Sequence, residues 1–342
     1  MLTYLKKILF TFIPKDFFFD DIAKPLFNKE YIKIKSDYKI QSFGKKNANK
    51  IFYVIQRSPG SGFFSNLTYV LNHLIYCKKK KFIPIVDMEN FTTIYNEKKK
   101  INRTYNAWNY YFKSFSKYKL KEVYQSKNII FSNNKYLKKI HFIAYDIPKI
   151  KKFFNIKNIH PFLVKEMNLF VKKKFNKNEK ILGIHFRGTT YKRAKNHSLP
   201  PTPKIMKKKI DELLIKYKYQ KIFLITEEKA YLNFIKKEYG NKCVYINAYR
   251  SDNVDAFKTY PRKNHRYFLG KEILIETLIL SKCHGMLYQP TNVSSAAIMF
   301  KKNKIKLHEI SLGYNSSNKF IARWKWYLKK LLPPYLGGLY IK

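Results

Sequence analysis

The sequence has few of the residues on which several classes of protein depend. Its three cysteines, Cys77, Cys243 and Cys283, are far apart and odd in number, so neither a disulfide framework nor a cysteine-based metal site is expected. This use of cysteine fits a reducing compartment, and we expect a cytoplasmic location. No stretch approaches the roughly 20 apolar residues of a membrane span, and the apolar run at 8–14 is too short for a signal peptide.

Several motifs that mark catalytic or nucleic-acid-binding proteins are also missing. There is no Gly-x-Ser-x-Gly elbow, no phosphate loop ending in Gly-Lys-Ser/Thr, and no zinc-finger, helix-turn-helix or RNA-binding signature. No set of His, Cys, Asp or Glu residues has metal-ligand spacing. We therefore expect no metal and no bound cofactor.

Acidic residues and arginines are scarce, whereas lysine is abundant. The chain has 70 Lys+Arg against 22 Asp+Glu, a net charge of +48, but only eight of the basic residues are arginines. Such a balance would usually indicate nucleic acid or an anionic membrane. Dispersed lysine is better explained by AT-rich codon usage, because base and phosphate recognition favours arginine. Nucleic acid is thus not the expected partner, and a non-catalytic basic protein that binds nucleic acid or anionic polysaccharide is the alternative hypothesis.

Alternating apolar strands and amphipathic helices predict an α/β protein. The first region has strands at 52–55 and 82–87 around a helix at 66–77, and the segment 90–174 is expected to hold mostly helices and long connections. The second region has strands at 181–186, 221–225, 243–246 and 285–288, and helices at 202–217, 229–239, 271–282 and 292–300. Short strands that alternate with longer helices indicate a doubly wound parallel sheet, in which ligands bind at the carboxyl ends of the strands.

Two loops after predicted strands have the chemistry of an anion site. Gly60 and Gly62, ahead of Asn66, free the backbone to approach an anion or a sugar hydroxyl, although the same pattern suits an ordinary tight turn. Arg187, followed by Gly188 and Thr189, resembles a phosphate clamp, because a guanidinium binds diphosphate oxygens in pairs and offsets leaving-group charge without a metal. An Arg187 paired with a carboxylate is the structural alternative.

Later loops and one helix supply further candidates. Thr226 and Glu227 could bind nucleotide hydroxyls or simply begin a helix. Arg250 belongs to an arginine-rich stretch of which at least one member is expected to face the cleft, and Glu276, in an apolar helix, needs an arginine or a ligand hydroxyl as partner. A second anion-binding helix end, or an ordinary N-cap, is formed by Thr291, Asn292, Ser294 and Ser295.

Taken in order, these motifs resemble the fucosyltransferase superfamily of α1,6-fucosyltransferases, nodulation fucosyltransferases and protein O-fucosyltransferases, in its bacterial surface-glycan branch. The resemblance covers about residues 50–300, and its most specific element is His185-Phe186-Arg187 followed by Thr189. It implies a GT-B fold of two Rossmann-like domains and an inverting, metal-independent transfer from GDP-fucose or another GDP-sugar. It also implies that Arg187 holds the diphosphate, that Thr226 and Glu227 lie near the nucleoside, that Glu276 orients the donor, and that Thr291 to Ser295 contact the phosphates.

The sequence departs from the family pattern around the expected catalytic base. Thr190 stands where an Asp is usual, Gly188 where some members have a second arginine, and Lys195 where some relatives carry the proposed base. Asp87, Glu89 and His197 are the surviving candidates for the base. A glycosyltransferase-like fold that has lost activity is therefore a third hypothesis.

The expected organisation has four parts. Residues 1–49 form an N-terminal extension, 50–178 an acceptor-binding domain, 179–312 a nucleotide-sugar domain, and 313–342 a basic, aromatic tail. The tail is expected to pack as a helix on the body, to contact anionic lipid, or both. The predicted partners are a nucleotide sugar, a glycan acceptor such as capsule or lipooligosaccharide, and the inner membrane surface as a peripheral site.

Overall fold

Two parallel β-sheets organise the chain in the computed structural model, which describes residues 23–27, 40–140, 146–251, 255–301 and 305–341. The first sheet has the order β2-β1-β3, and the second has the order β6-β5-β4-β7-β8. Every strand pair is parallel. The strands are β1 (Phe52–Ile55), β2 (Ile83–Val86), β3 (Ile129–Phe131), β4 (Ile181–His185), β5 (Lys221–Ile225), β6 (Cys243–Val244), β7 (Gly285–Tyr288) and β8 (Lys306–Glu309). The predicted α/β class is confirmed.

Helices connect the strands and cover the sheets. They are α1 (Phe63–Lys80), α2 (Leu120–Val123), α3 (Ile147–Lys151), α4 (Pro161–Lys174), α5 (Pro203–Tyr217), α6 (Lys229–Tyr239), α7 (His265–Leu280), α8 (Asn292–Phe300) and α9 (Lys319–Leu331). Several begin where the sequence places a capping side chain, since Thr202 accepts from Ile205 N before α5 and Asn318 from Phe320 N before α9. Across the residues that the structure describes, no helix combines the length and apolar character needed to cross a membrane.

The second sheet is covered on both faces, as expected for a doubly wound fold. Successive side chains of a strand point to opposite faces. Leu182 and Ile184 of β4 belong to a buried cluster with Met206 and Ile210 of α5. Ile181 belongs instead to a second cluster that includes Leu274 of α7 and extends into the first sheet.

Helix α4 links the two halves of the chain. Phe170 and Phe175, in and just after α4, place their rings 5.9 and 6.0 Å from the ring of Phe223 in β5. The helix therefore covers the second sheet, although the sequence assigned it to the first domain. The proposed domain boundaries stay a prediction, but one buried cluster contains both Tyr53 of β1 and Phe223 of β5, so the two sheets share one continuous core.

A tyrosine of the first half also packs directly on α7. The Tyr111 hydroxyl donates to the Tyr267 carbonyl at 2.9 Å, and the two rings stack with centroids 5.7 Å apart. Gly270 makes this approach possible, because a Cβ at that position would overlap the Tyr111 hydroxyl.

The segment 90–174 has the predicted helices and long connections, and in addition one strand that was not predicted. It contains the strand β3, two helices of four and five residues, and then α4. α7 also begins six residues before the predicted start. Most of the predicted N-terminal extension lies outside the described residues.

Candidate functional site

A cleft of about 650 Å³ lies at the carboxyl ends of strands from both sheets. The loop after β1, the ends of β4 and β5, and the turn after β7 all line it. β1 and β4 are each flanked on both sides by later strands, so the strand order reverses at each of them. This is the position where doubly wound sheets bind ligands.

The amino ends of two helices form part of the cleft wall. Gly62 to Ser65 contribute from the first turn of α1, and Thr291 to Val293 from the first turn of α8. A helix start presents N–H groups without intrahelical partners and the positive end of the helix dipole. At α8 a capping box uses the N–H groups of Thr291 and Ser294, which leaves those of Asn292 and Val293 for a ligand.

Arg187 follows β4 and faces the same cleft. Its Nη1 donates to Glu227 Oε2 at 2.6 Å, and the guanidinium lies 4.3 Å from the centre of the Tyr191 ring. Among the described residues the buried Nε has no partner. Burial is the largest single effect and lowers the Arg187 pKa, but Glu227, Tyr191, Tyr95 and Glu228 together outweigh it, so the net pKa is raised. The ion pair named as the structural alternative is thus present, yet it uses only part of the guanidinium.

Two adjacent glutamates hold the loop after Arg187. The Thr189 N–H donates to Glu228 Oε1 and its hydroxyl to Glu227 Oε1, while Lys192 Nζ lies 2.7 Å from Glu228 Oε1. These contacts fix Thr189 at a φ of 32°, which is unusual for a β-branched residue. Gly188 does not line the cleft, and a Cβ there would overlap the Glu228 carboxylate. Its role is close packing of the loop.

Glu276 brings a buried carboxyl to the cleft wall. Arg250 Nη2 donates to Glu276 Oε1 at 2.8 Å, and Arg250 Nη1 donates to the Ala248 carbonyl at 2.7 Å. Both side chains are almost fully buried. Burial raises the pKa of Glu276 to about 8, against the opposing effect of Arg250. Arg250 itself does not line the cleft, so it acts by holding Glu276.

Two histidines line the cleft, one buried and one exposed. His185 is buried with Nδ1 3.3 Å from Thr291 Oγ1, and burial together with Arg187 lowers its pKa to about 3. His185 is therefore neutral at physiological pH. His197 is exposed, and its Nδ1 lies 2.7 Å from the Lys195 carbonyl. Because a carbonyl only accepts, Nδ1 carries the hydrogen, and the Nε2 of neutral His197 has a free lone pair.

The structure places the other candidate bases away from the cleft. Asp87 is fully buried, and its carboxylate accepts from the N–H groups of Glu89 and Asn90 and, at 2.6 Å, from the Tyr124 hydroxyl. Glu89 lines a separate cavity beside Trp108. The position of Asp87 after a strand misled the prediction, because the side chain closes its own turn.

Three predicted donor-binding side chains likewise serve the local fold. The Asn66 amide accepts from Ser61 N at 2.8 Å and donates to Ser61 O at 3.0 Å, which closes the loop after β1. Ser294 completes the capping box, and Ser295 is buried in α8. None of the three lines the cleft. Gly60, by contrast, lines it at a φ of 78°, as do Gly62, Thr226 and Glu227.

Aromatic residues of the cleft were not found from the sequence. Tyr95, Tyr191, Tyr249 and Phe257 all line it. In a chain with 17% aromatic residues, no local pattern distinguishes these four from the core. Across the described residues no group of three His, Cys, Asp or Glu side chains could hold a metal ion.

Comparison with known proteins gives structural likenesses only. No protein-family model matches the sequence, and no curated protein matches it. The chain is similar to the NodZ α-1,6-fucosyltransferase in a crystal soaked with GDP-fucose, at 12% identity and a TM-score of 0.45 over 74% of this chain and 93% of that one. It is also similar to POFUT1 in complex with GDP, at 8% identity and a TM-score of 0.42 over 77% and 99% of the two chains. A third likeness is to Arabidopsis thaliana FUT1 in complex with GDP, at 10% identity and a TM-score of 0.40 over 75% and 70%.

Proposed function

We propose that the chain is a glycosyltransferase that uses a nucleoside-diphosphate sugar, with GDP-fucose or another GDP-sugar as donor. The observation that carries the proposal is the convergence of Arg187 with the amino ends of α1 and α8 on one cleft. Three sources of positive potential in a single site suit a diphosphate. The resemblance of the motifs favours guanine as the base and a bacterial surface glycan as the acceptor.

In this proposal the donor lies across the second sheet. The diphosphate binds the Asn292 and Val293 N–H groups and the free donors of Arg187, while Thr226 and Glu227 lie on the nucleoside side. The first-half loop from Gly60 to Ser65 also lines the cleft, so the amino end of α1 adds positive potential near the diphosphate while the acceptor approaches along the first half. In this proposal the first half of the chain is the acceptor domain and the second half is the donor domain.

The proposed transfer is a single displacement with inversion. The acceptor hydroxyl oxygen attacks the anomeric carbon while the bond from that carbon to the phosphate oxygen breaks, and the electron pair leaves with the nucleoside diphosphate. His197 Nε2 takes the hydroxyl proton as general base. Arg187 and the α8 amino end stabilise the charge that grows on the leaving phosphate, which is the task that a divalent cation performs in other transferases.

Calorimetry and thermal unfolding test the nucleotide assignment. Because a ligand at 100 times its Kd stabilises by about 2.7 kcal/mol, GDP should raise the Tm clearly at physiological salt. ADP and duplex DNA should do so much less. A chain of charge +48 binds polyanions in general, so selectivity for GDP over ADP at equal charge is the decisive comparison. Equal responses, or tighter DNA binding, would favour the non-catalytic alternative.

A donor screen tests turnover separately. GDP-sugars should be hydrolysed slowly or transferred to glycan acceptors, with release of GDP. Selective GDP binding without GDP release from any donor would support a fold that has lost activity.

A further inference from the structure

Helix α9 has two opposite apolar faces, of which the body of the protein covers one. Ala322 and Trp326 are buried, and Trp326 Nε1 donates to the Pro200 carbonyl at 2.8 Å. On the other side Phe320, Leu328 and Leu331 are exposed by 73%, 57% and 74%. Residues three or four apart share one side of a helix. The exposed residues therefore form a continuous stripe that points away from the body.

The chain just after α9 extends this stripe. Leu332, Tyr335 and Leu336 are also exposed, and the outer face is the set Phe320, Ile321, Leu328, Leu331, Leu332, Tyr335 and Leu336. A soluble monomer rarely leaves so many neighbouring large apolar side chains in water without a partner for them.

The charged side chains of the segment that carries the outer face are all of one sign. No acidic residue occurs between Ile310 and Lys342, and the basic residues of α9 are Lys319, Arg323, Lys325, Lys329 and Lys330. The partner must therefore combine an apolar interior with an anionic surface. A second copy of this chain does not fit, because two identical basic faces in a protein of charge +48 would repel each other.

We propose that the outer face docks on an anionic phospholipid bilayer, with α9 lying in the plane of the headgroups. Apolar side chains enter the acyl boundary, and the surrounding lysines attract anionic lipid. This surface is independent of the proposed transferase activity. Through Lys192, whose Nζ lies 5.0 Å from the centre of the Trp326 ring and 2.7 Å from Glu228 Oε1, docking also holds the loop after Arg187 near the membrane. If the proposed function is correct, a lipid-anchored acceptor follows.

Vesicle flotation of the full chain tests the apolar part of the proposal. The probes are phosphatidylcholine vesicles with and without phosphatidylglycerol at physiological salt. The combined variant Phe320→Ser, Leu328→Ser and Leu331→Ser should bind the anionic vesicles at least tenfold more weakly. The matched control is Leu169→Ser with Ile215→Ser, two residues exposed by 58% and 81% on other helices, and it should bind as the parent does. Equal binding by the triple variant and the control would mean that the lysines of the whole surface bind the vesicles without the outer face. That result would overturn the proposal.

The basic rim has its own pair of variants. Lys325→Gln with Lys330→Gln should lower binding to anionic vesicles about 30-fold, because each lysine at such a surface contributes about 1 kcal/mol. Lys172→Gln with Lys173→Gln, on α4, changes the net charge equally and should have a much smaller effect. Equal losses from both pairs, or equal binding to neutral vesicles, would contradict an oriented anionic contact.

Fluorescence reports insertion directly. Trp108 and Trp326 are buried, so quenching by lipids brominated in the acyl chain reports Trp324, on the line of Phe320 and Leu328. Quenching should occur with anionic vesicles and disappear in Trp324→Phe. Absence of quenching in bound protein would refute insertion. Sedimentation that shows a dimer in the parent and a monomer in the triple variant would assign the face to a second copy instead. Circular dichroism checks that each variant is folded.

Discussion

Replacing Arg187 by alanine tests its proposed role in binding the diphosphate separately from its contribution to the free energy of unfolding. The ion pair with Glu227 has side-chain exposures of 23% and 31%, so it contributes less than about 1 kcal/mol to folding. Loss of one preorganised charge donor in the transition state costs about 10² to 10³ in kcat. We therefore expect turnover to fall by that factor while the Tm hardly changes.

Glu227 allows a finer test of the same residue. In Arg187→Ala the Glu227 carboxylate loses its positive partner, and its uncompensated charge should repel the donor diphosphate and raise the donor KM. Adding Glu227→Gln should restore much of the KM but not kcat, because only Arg187 stabilises the charge that develops in the reaction. Arg187→Lys should recover turnover in part, since an ammonium supplies charge without the paired geometry.

Steady-state kinetics of GDP release, with Tm on the same samples, measures these effects. Lys221→Ala is the matched control. Its ion pair with Glu179 spans 2.8 Å at side-chain exposures of 24% and 22%, and it lies at the amino end of β5, away from the cleft. The Lys221→Ala variant should leave kcat unchanged. Near-normal turnover in a folded Arg187→Ala protein would refute the clamp assignment.

Three further predictions concern the metal, the base and pH. EDTA should leave GDP release unchanged, and activity that is lost in EDTA and restored by manganese would contradict the proposed role of Arg187 and α8. His197→Gln should lower kcat by about 10² to 10⁴ with little change in GDP affinity measured by calorimetry, and an unchanged kcat would place the base elsewhere. The His185 pKa is about 3 in the folded chain against 6.5 ordinarily, so only the unfolded state gains this proton as pH falls from about 6.5 to 3, and stability is lost. Urea unfolding of His185→Asn should show a shallower loss, by up to about 1.4 kcal/mol per pH unit, and identical slopes would mean that His185 is not held neutral.

The sequence was most informative where burial is continuous. β1, β5 and β7 begin and end at the predicted residues because each is a short run of apolar side chains between turn residues. β3 and β8 were missed for different reasons: β3 is apolar but too short to show a period, and the side chains of β8 are mostly exposed. β3 is three residues long and is defined by pairing with β1, and β8 is largely exposed on the edge of its sheet.

The same distinction applies to the site. Arg187, Glu227, Thr291 and Asn292 line the cleft because the carboxyl ends of parallel strands lie on the same side of a sheet. Asp87 and Asn66 meet the same criterion, and only their hydrogen bonds, to Glu89 N and Ser61 N, reveal that each serves its own turn. The end of a strand thus predicts which loop approaches the ligand. It does not predict which side chains of that loop form hydrogen bonds within the loop instead.

If the proposed function is correct, the contact between Tyr111 and α7 limits how the protein can acquire a new sugar specificity. An exchange of the whole donor half would bring in a foreign α7, and any residue larger than glycine at position 270 would collide with the Tyr111 hydroxyl. The same exchange would have to supply an aromatic partner for Phe170 and Phe175 in place of Phe223. Exchange of whole halves between related proteins is therefore hindered. Single substitutions in the loops that line the cleft are the remaining way to change specificity.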